Sequence, residues 1–91
     1  GAPTFVSEPS GAVYVNPTGN AGMATGGSGD VLSGIIGALL AQGLAPLEAA
    51  CCGAYIHGLA ADIAEGNTGQ MAMIPTDIIS RLPKAYKTLG F

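Results

Sequence analysis

Apolar and polar positions along the 91-residue chain alternate first with the period of a strand and then with the period of a helix. Residues 4–7, Thr-Phe-Val-Ser, and residues 12–15, Ala-Val-Tyr-Val, are short β-prone runs separated by Glu8-Pro9-Ser10-Gly11. Proline second and glycine fourth in that tetrad are turn chemistry, so the three pieces predict a β-hairpin. Asn16-Pro17-Thr18-Gly19-Asn20 is a second turn-rich stretch, and it leads into a run of small residues ending at Gly29. From Val31 the apolar residues fall at 31, 32, 35, 36, 39 and 40, one face of a helix. Gly34 and Gly37 each weaken that helix by about 1 kcal/mol relative to alanine. Tolerating both predicts close approach of another backbone. Gly43 is the expected stop.

Pro46 suits the first turn of a second helix, with Glu48 near its positive end. This helix is expected to run to about Glu65 and to end in Gly66-Asn67-Thr68-Gly69. Alanine dominates it, with Tyr55, Ile56, Leu59 and Ile63, so it is apolar around much of its circumference and reads as buried or sandwiched. Residues 71–74 are apolar. Thr76 is the expected cap of a last helix over 77–88, with Pro83 as a break or kink. No internal repeat or low-complexity linker is present.

Composition sharpens this picture. Only 10% of the residues are charged, against roughly 25% in an average soluble domain. So few charges on so small a body predict that much of its surface is covered, by another subunit or by more of the same protein. The net charge is −3 and the three basic residues, Arg81, Lys84 and Lys87, lie near the C-terminal end. Nucleic-acid binding needs clustered cations facing phosphates, which this pattern does not supply. The apolar stretches fall short of the roughly 20 residues a membrane span needs, and no signal peptide is visible. Cys51 and Cys52 are adjacent and lack ligand-spaced partners, so they read as two small buried helix residues in a reducing cytosol.

The candidate chemistry sits where the small-residue loop meets the first long helix. A helix N-terminus leaves backbone N–H groups without partners, and its peptide dipoles make it positive. Glycines at 26, 27 and 29 remove the side chains that would block a ligand, so the amides can converge on an anion. "GGSGD" before a helical pattern is thus a candidate phosphate or oxyanion pocket. It is neither a Walker loop, since no lysine follows the last glycine, nor a dinucleotide fingerprint. Asp30 has two readings that do not exclude each other: a helix N-cap, or a general base beside the anion site. His57 reads as a core or surface helix residue and Asp62 as solvated or hydrogen-bonded at a helix face. Met23, Met71 and Met73 read as gap-fillers. Asn20 and Thr25 suit either nucleotide contacts or turn and cap roles.

"NAGMATGGSGDVLSGIIGALLAQG" resembles the signature of the ADP/ATP-dependent NAD(P)H-hydrate dehydratases, a family with a ribokinase-like fold. The opening "GAPT" resembles the tail of that family's "KGAxT" strand motif, and "AAxxxxYIHGLAAD" follows at the family's usual distance. The resemblance runs over essentially all 91 residues. It implies an α/β fold in which the chain is the C-terminal part of a ribokinase-like α/β/α sandwich, here a β-hairpin followed by three helices. Residues 1–91 would be the C-terminal segment of a dehydratase domain whose first half builds most of the parallel sheet.

The implied function is cofactor repair: ADP or ATP drives loss of water from hydrated NADH or NADPH, with Mg2+ shielding the phosphates. By the same resemblance Asp30 touches the hydrate and serves as base. Asn20, Ala21, Gly22, Met23, Ala24, Thr25, Gly26, Gly27, Ser28 and Gly29 match the nucleotide-binding segment, with Gly27 to Gly29 as the anion hole. Gly1, Ala2, Pro3 and Thr4 match the tail of the other nucleotide-contacting motif. No metal-ligating residue is implied. The expected partners are NAD(P)H hydrate, the nucleotide, another copy or the rest of the domain, and a fused or separate NAD(P)H-hydrate epimerase, all in the cytoplasm. The competing expectations are a small-molecule kinase of the same superfamily, which phosphorylates a hydroxyl without eliminating it, and an inert assembly piece.

Overall fold

A computed structural model describes residues 5–11, 13–20, 23, 27–69 and 74–90. The elements are β1 (Phe5–Ser7), β2 (Val13–Val15), α1 (Ser28–Ala41), α2 (Pro46–Thr68) and α3 (Pro75–Thr88). The two strands pair antiparallel, with Phe5 opposite Val15, Val6 opposite Tyr14 and Ser7 opposite Val13. The turn closes as its residues dictate: the Gly11 amide donates to the Glu8 carbonyl at 2.9 Å, and Gly11 takes a φ of 94° that a side chain would disfavour. Successive strand residues point to opposite faces. Val6 and Tyr14 are half-buried, and β1 touches α2. Phe5, Val13 and Val15 face outward, 62%, 60% and 52% exposed.

α2 is the centre of the molecule. α1 and α3 both pack on it, as its all-round apolar sequence requires. The core joins Ile35 and Leu39 of α1, Ala49, Ile56, Ala60, Ala61 and Ala64 of α2, and Ile78 and Ala85 of α3. Leu39, Ile56 and Ile78 are the large side chains fully withdrawn from water, each contributing roughly 1.5–3 kcal/mol. Small residues on α2 let its neighbours come close. At Gly53 a Cβ would lie 2.7 Å from Ile36 Cγ1 of α1.

Gly34 and Gly37 are therefore not the close-approach positions expected of them. A Cβ at either meets nothing within 4 Å. The glycines that neighbours require are Gly53 and Gly58, on α2.

The helix ends differ from expectation in instructive ways. α1 begins at Ser28, three residues earlier than its apolar period suggests, with Gly27 as N-cap at φ 91°. Asp30 is thus not the cap but lies in the first helical turn, where its charge complements the dipole. At the other end the Gly43 amide donates to Leu40 and the Leu44 amide to Leu39. Gly43 has a φ of 99°, and the pattern is a Schellman stop. α2 opens on Pro46, with Glu48 Oε1 accepting the Ala45 amide at 3.1 Å. It continues through Gly66 to Thr68, beyond the expected Glu65, and Gly69 ends it.

α3 starts at Pro75, with Ile74 rather than Thr76 as N-cap, and Asp77 Oδ2 accepts the Ile74 amide at 2.8 Å. Pro83 does not end it. Proline removes the donor that would reach the Ile79 carbonyl, but Ile79 and Pro83 are both exposed, so water can take the donor's place. Cys51 and Cys52 are free thiols on α2, half-buried rather than buried.

Candidate functional site

Gly27 sets the site's geometry. Its left-handed backbone turns the chain into α1, and its carbonyl accepts the amides of Asp30 and Val31 at 3.1 and 3.2 Å. The first two helical amides, those of Ser28 and Gly29, have no acceptor among the described residues and point out along the helix axis. A Cβ on Gly29 would meet nothing within 4 Å among the described residues. Asp30 is exposed one residue further on. It stands at the mouth of a cavity of about 330 Å3 between α1 and α3, whose walls include Gly34 and Ala38 of α1 and Ile79, Leu82 and Tyr86 of α3. The arrangement puts a carboxylate, amide donors at a positive helix end and an apolar wall within one turn of helix. It can bind an anion and accept a proton from a group beside it.

The approach to this loop is held by a network that the motif alone did not reveal. Asn16 is 2% exposed. Its Nδ2 donates to the Ala54 carbonyl of α2 at 3.0 Å and to the Thr18 carbonyl at 3.2 Å, and its Oδ1 accepts from the Tyr14 hydroxyl at 3.2 Å. The Thr18 hydroxyl donates to the Tyr55 carbonyl at 2.9 Å. At Asp62, Oδ2 accepts the Gly19 amide and Oδ1 accepts Asn20 Nδ2, both at 2.9 Å.

The backbone of Thr18 lies so close to Gly58 that a Cβ there would sit 2.6 Å from the Thr18 carbonyl carbon. Ala54, Gly58 and Asp62 recur every four residues, one stripe of α2. A glycine in the middle of an alanine-rich helix, four residues before an aspartate, was the available signal. Asp62 is hydrogen-bonded rather than solvated, and Asn20, a candidate nucleotide contact, reaches it.

Of the other candidate residues, Met23 packs against the core, and its amide donates to the Asn20 carbonyl at 3.1 Å. His57 is buried, and burial pushes its imidazole below the ordinary histidine value. Tyr14 and Cys52 are pushed up, chiefly by burial. Gly1, Ala2, Pro3, Thr4, Ala21, Gly22, Ala24, Thr25, Gly26, Met71 and Met73 lie outside the described residues, as does the Ser28 side chain. Among the described residues no three His, Cys, Asp or Glu side chains gather as metal ligands, and no helix is long and apolar enough to cross a membrane.

The strand pair, the three helices and the glycine-led helix start define a piece of a ribokinase-like α/β fold. The family model described as NAD(P)H-hydrate dehydratase matches residues 1–84, and the chain belongs to that family. It is 54% identical over 89 residues to the bifunctional NAD(P)H-hydrate repair enzyme Nnr of Moorella thermoacetica, covering 98% of this chain and 17% of that protein. It is 58% identical over 69 residues to the ADP-dependent (S)-NAD(P)H-hydrate dehydratase of Neisseria meningitidis serogroup B, covering 76% of this chain and 23% of that one. The solved ADP/ATP-dependent NAD(P)H-hydrate dehydratase of Bacillus subtilis, co-crystallised with ATP and Mg2+, superposes with a TM-score of 0.89 at 31% identity. That match covers 97% of this chain and 32% of the solved one. The chain thus spans about a fifth of these curated relatives and a third of the solved domain.

Proposed function

We propose that the chain supplies the phosphate-gripping and proton-accepting part of an enzyme that uses ADP or ATP to dehydrate NAD(P)H hydrate back to NAD(P)H. The observation that carries this reading is the junction at Gly27–Asp30: helix-start amides that find no acceptor among the described residues, next to an exposed carboxylate that lines the cavity between α1 and α3. The amides of the Gly27 to Gly29 turn hold the terminal phosphoryl group as charge develops on it. Asp30 takes the proton of the hydrate's hydroxyl as the hydroxyl oxygen bonds to the terminal phosphorus and the bond from that phosphorus to the bridging oxygen breaks, releasing AMP from ADP or ADP from ATP. The C–O bond then breaks with phosphate leaving, a proton is lost from the neighbouring ring carbon, and the dihydronicotinamide double bond is restored. By the motifs they match, Asn20 to Ser28 and Gly1 to Thr4 would contact the nucleotide. Mg2+ supplies charge neutralisation when bound; the described residues offer no cage of their own, so it would ride on the phosphates.

In this reading residues 1–91 form the C-terminal segment of the dehydratase domain. The outward apolar face of the hairpin supports that placement: Phe5, Val13 and Val15 are the kind of surface on which further sheet or helix packs. The enzyme acts in the cytoplasm, in keeping with two free thiols. It assembles with its own remaining portion or with further copies, and works beside a fused or separate epimerase.

The test is incubation of the full-length protein with NADH hydrate and ADP or ATP. Recovery of the reduced-nicotinamide absorbance, with one nucleotide consumed per turnover, is expected. A second reading, phosphoryl transfer to a hydroxyl without elimination, draws on the same cavity, whose apolar walls would accept another alcohol. One solved relative is described as a putative kinase. Nucleotide consumption with a stable phosphorylated product and no absorbance recovery would favour it, and nucleotide binding by neither ADP nor ATP would point to an inert piece.

A further inference from the structure

We infer that Asp62 is a positioning residue for nucleotide binding: it pins the last residues before the glycine loop to α2 and so sets where that loop meets the phosphates. This rests on the nucleotide reading above.

The segment from Asn16 to Asn20 is a strap laid along α2. Its contacts run towards the C-terminal end of the helix as the segment advances: Asn16 with Ala54, Thr18 with Tyr55, and Gly19 and Asn20 with Asp62. Between them the Thr18 carbonyl carbon would lie 2.6 Å from a Cβ at Gly58.

Asp62 is the last pin. Its two carboxylate oxygens accept two separate donors, one backbone and one side-chain, at 2.9 Å each. A carboxylate in this role is stronger than a neutral acceptor. One oxygen fixes the Gly19 amide, where the backbone adopts a φ of 111°. The other holds the Asn20 side chain, and the Asn20 carbonyl in turn accepts the Met23 amide. The hold passes from α2 through Asn20 to the start of the nucleotide segment. Asp62 itself stands on a different helix from Asp30.

The experiment compares full-length protein carrying Asp62→Ala and Asp62→Asn with the parent. Asn keeps the size and one of the two acceptor oxygens. The expected result is a rise of about tenfold in the nucleotide KM for Asp62→Ala, the equivalent of losing one charge-assisted hydrogen bond. Asp62→Asn should fall between it and the parent, and the KM for the hydrate should stay unchanged. Hydrogen exchange of the Gly19 amide should quicken in both variants. A residue that merely supports the fold would lower the active fraction, and hence kcat, without moving either KM.

Unchanged nucleotide KM in both variants, with the parent active, would overturn the inference and leave the proposed function standing. A parent that neither binds nucleotide nor restores the hydrate would overturn both. If Asp62→Ala does not fold, an Asp62→Asn protein with the parent's nucleotide KM and Gly19 exchange rate is sufficient to refute it.

Discussion

Replacing Gly58 by alanine separates two physical accounts of that residue, because they predict opposite signs. In a solvent-facing helix interior, glycine to alanine stabilises by about 1 kcal/mol. At Gly58 the new Cβ would lie 2.6 Å from the carbonyl carbon of Thr18 and 2.8 Å from its oxygen, where ordinary carbon contacts need about 3.5–4.0 Å. The Thr18 hydroxyl oxygen is nearer still and could turn aside only by giving up its bond to Tyr55, while the carbonyl atoms are backbone and cannot rotate away, so the strap must lift by about 1 Å. Lifting stretches the bonds from Asn16 Nδ2 to the Ala54 carbonyl, 3.0 Å, and from the Thr18 hydroxyl to the Tyr55 carbonyl, 2.9 Å. Each contributes roughly 1 kcal/mol net, and forced overpacking adds about 1–3 kcal/mol.

Set against the propensity gain, the variant should lose about 3 kcal/mol. In a domain about three times this length that shifts the melting temperature downward by roughly 6–12 °C, on the scale of about 2–4 °C per kcal/mol. The assay is urea unfolding followed by circular dichroism, with Gly37→Ala as the control. Gly37 has open space where its Cβ would go, so that variant should gain about 1 kcal/mol. The slopes in urea should be equal, so that midpoint shifts report stability. A Gly58→Ala protein as stable as the parent would refute the account of the strap.

Asp30→Asn should lower kcat of the full-length enzyme by about 10³-fold, the usual range for a general base, while calorimetry shows the nucleotide still bound. Gly29→Ala should leave the unfolding midpoint unchanged or raised, since its Cβ meets open space. If the Gly27 to Gly29 turn grips the nucleotide as proposed, the added methyl should crowd the ligand and weaken ADP or ATP binding by at least tenfold, read by titration calorimetry. His57 should make stability depend on acid. Burial lowers its folded pKa from 6.5, so below that pH the unfolded state takes up the proton first. Stability is then retained at neutral pH and lost as pH falls through 6.5 towards the lower folded value. Urea midpoints measured from pH 7.5 to 5 should decline, and in His57→Gln that part of the decline should vanish.

Whatever depends on neighbours in sequence was legible. The hairpin followed from two β-prone runs and the proline and glycine of its turn. α2 showed its central place in the width of its apolar surface. The junction at Asp30 was readable because amides, glycines and carboxylate lie within four residues of each other. Helix starts were less so. Gly27 caps α1 by adopting a positive φ, which no capping side chain announces, and Ile74 precedes α3 on the strength of Pro75 and Asp77. The glycines were misjudged for a related reason. Gly34 and Gly37 are as costly to a helix as Gly53 and Gly58, but the benefit that offsets the cost is contact with a distant segment. Only the fold shows which pair has such a contact.

The same distinction governs the site. A glycine-rich segment has few side chains with which to hold itself, and ordering it costs more entropy than ordering any other sequence. Preorganised amides must therefore be held from outside the loop. Both flanks answer to α2. On one side Asn16, Thr18 and Asp62 bind the strap to it, across 37 to 43 residues of sequence. On the other, α1, which begins at Gly27, packs on it through Ile36 against Gly53 and through Ile35 and Leu39 in the core. Asn20 on one side and Gly27 on the other are thus tied to one body. A shift of α2 at either contact would change the separation of Asn20 and Gly27, and with it the spacing on which the proposed phosphoryl transfer would depend. Substitutions at Gly53 and Gly58, both distant in sequence from Asp30, should consequently disturb the proposed nucleotide site as well as the core.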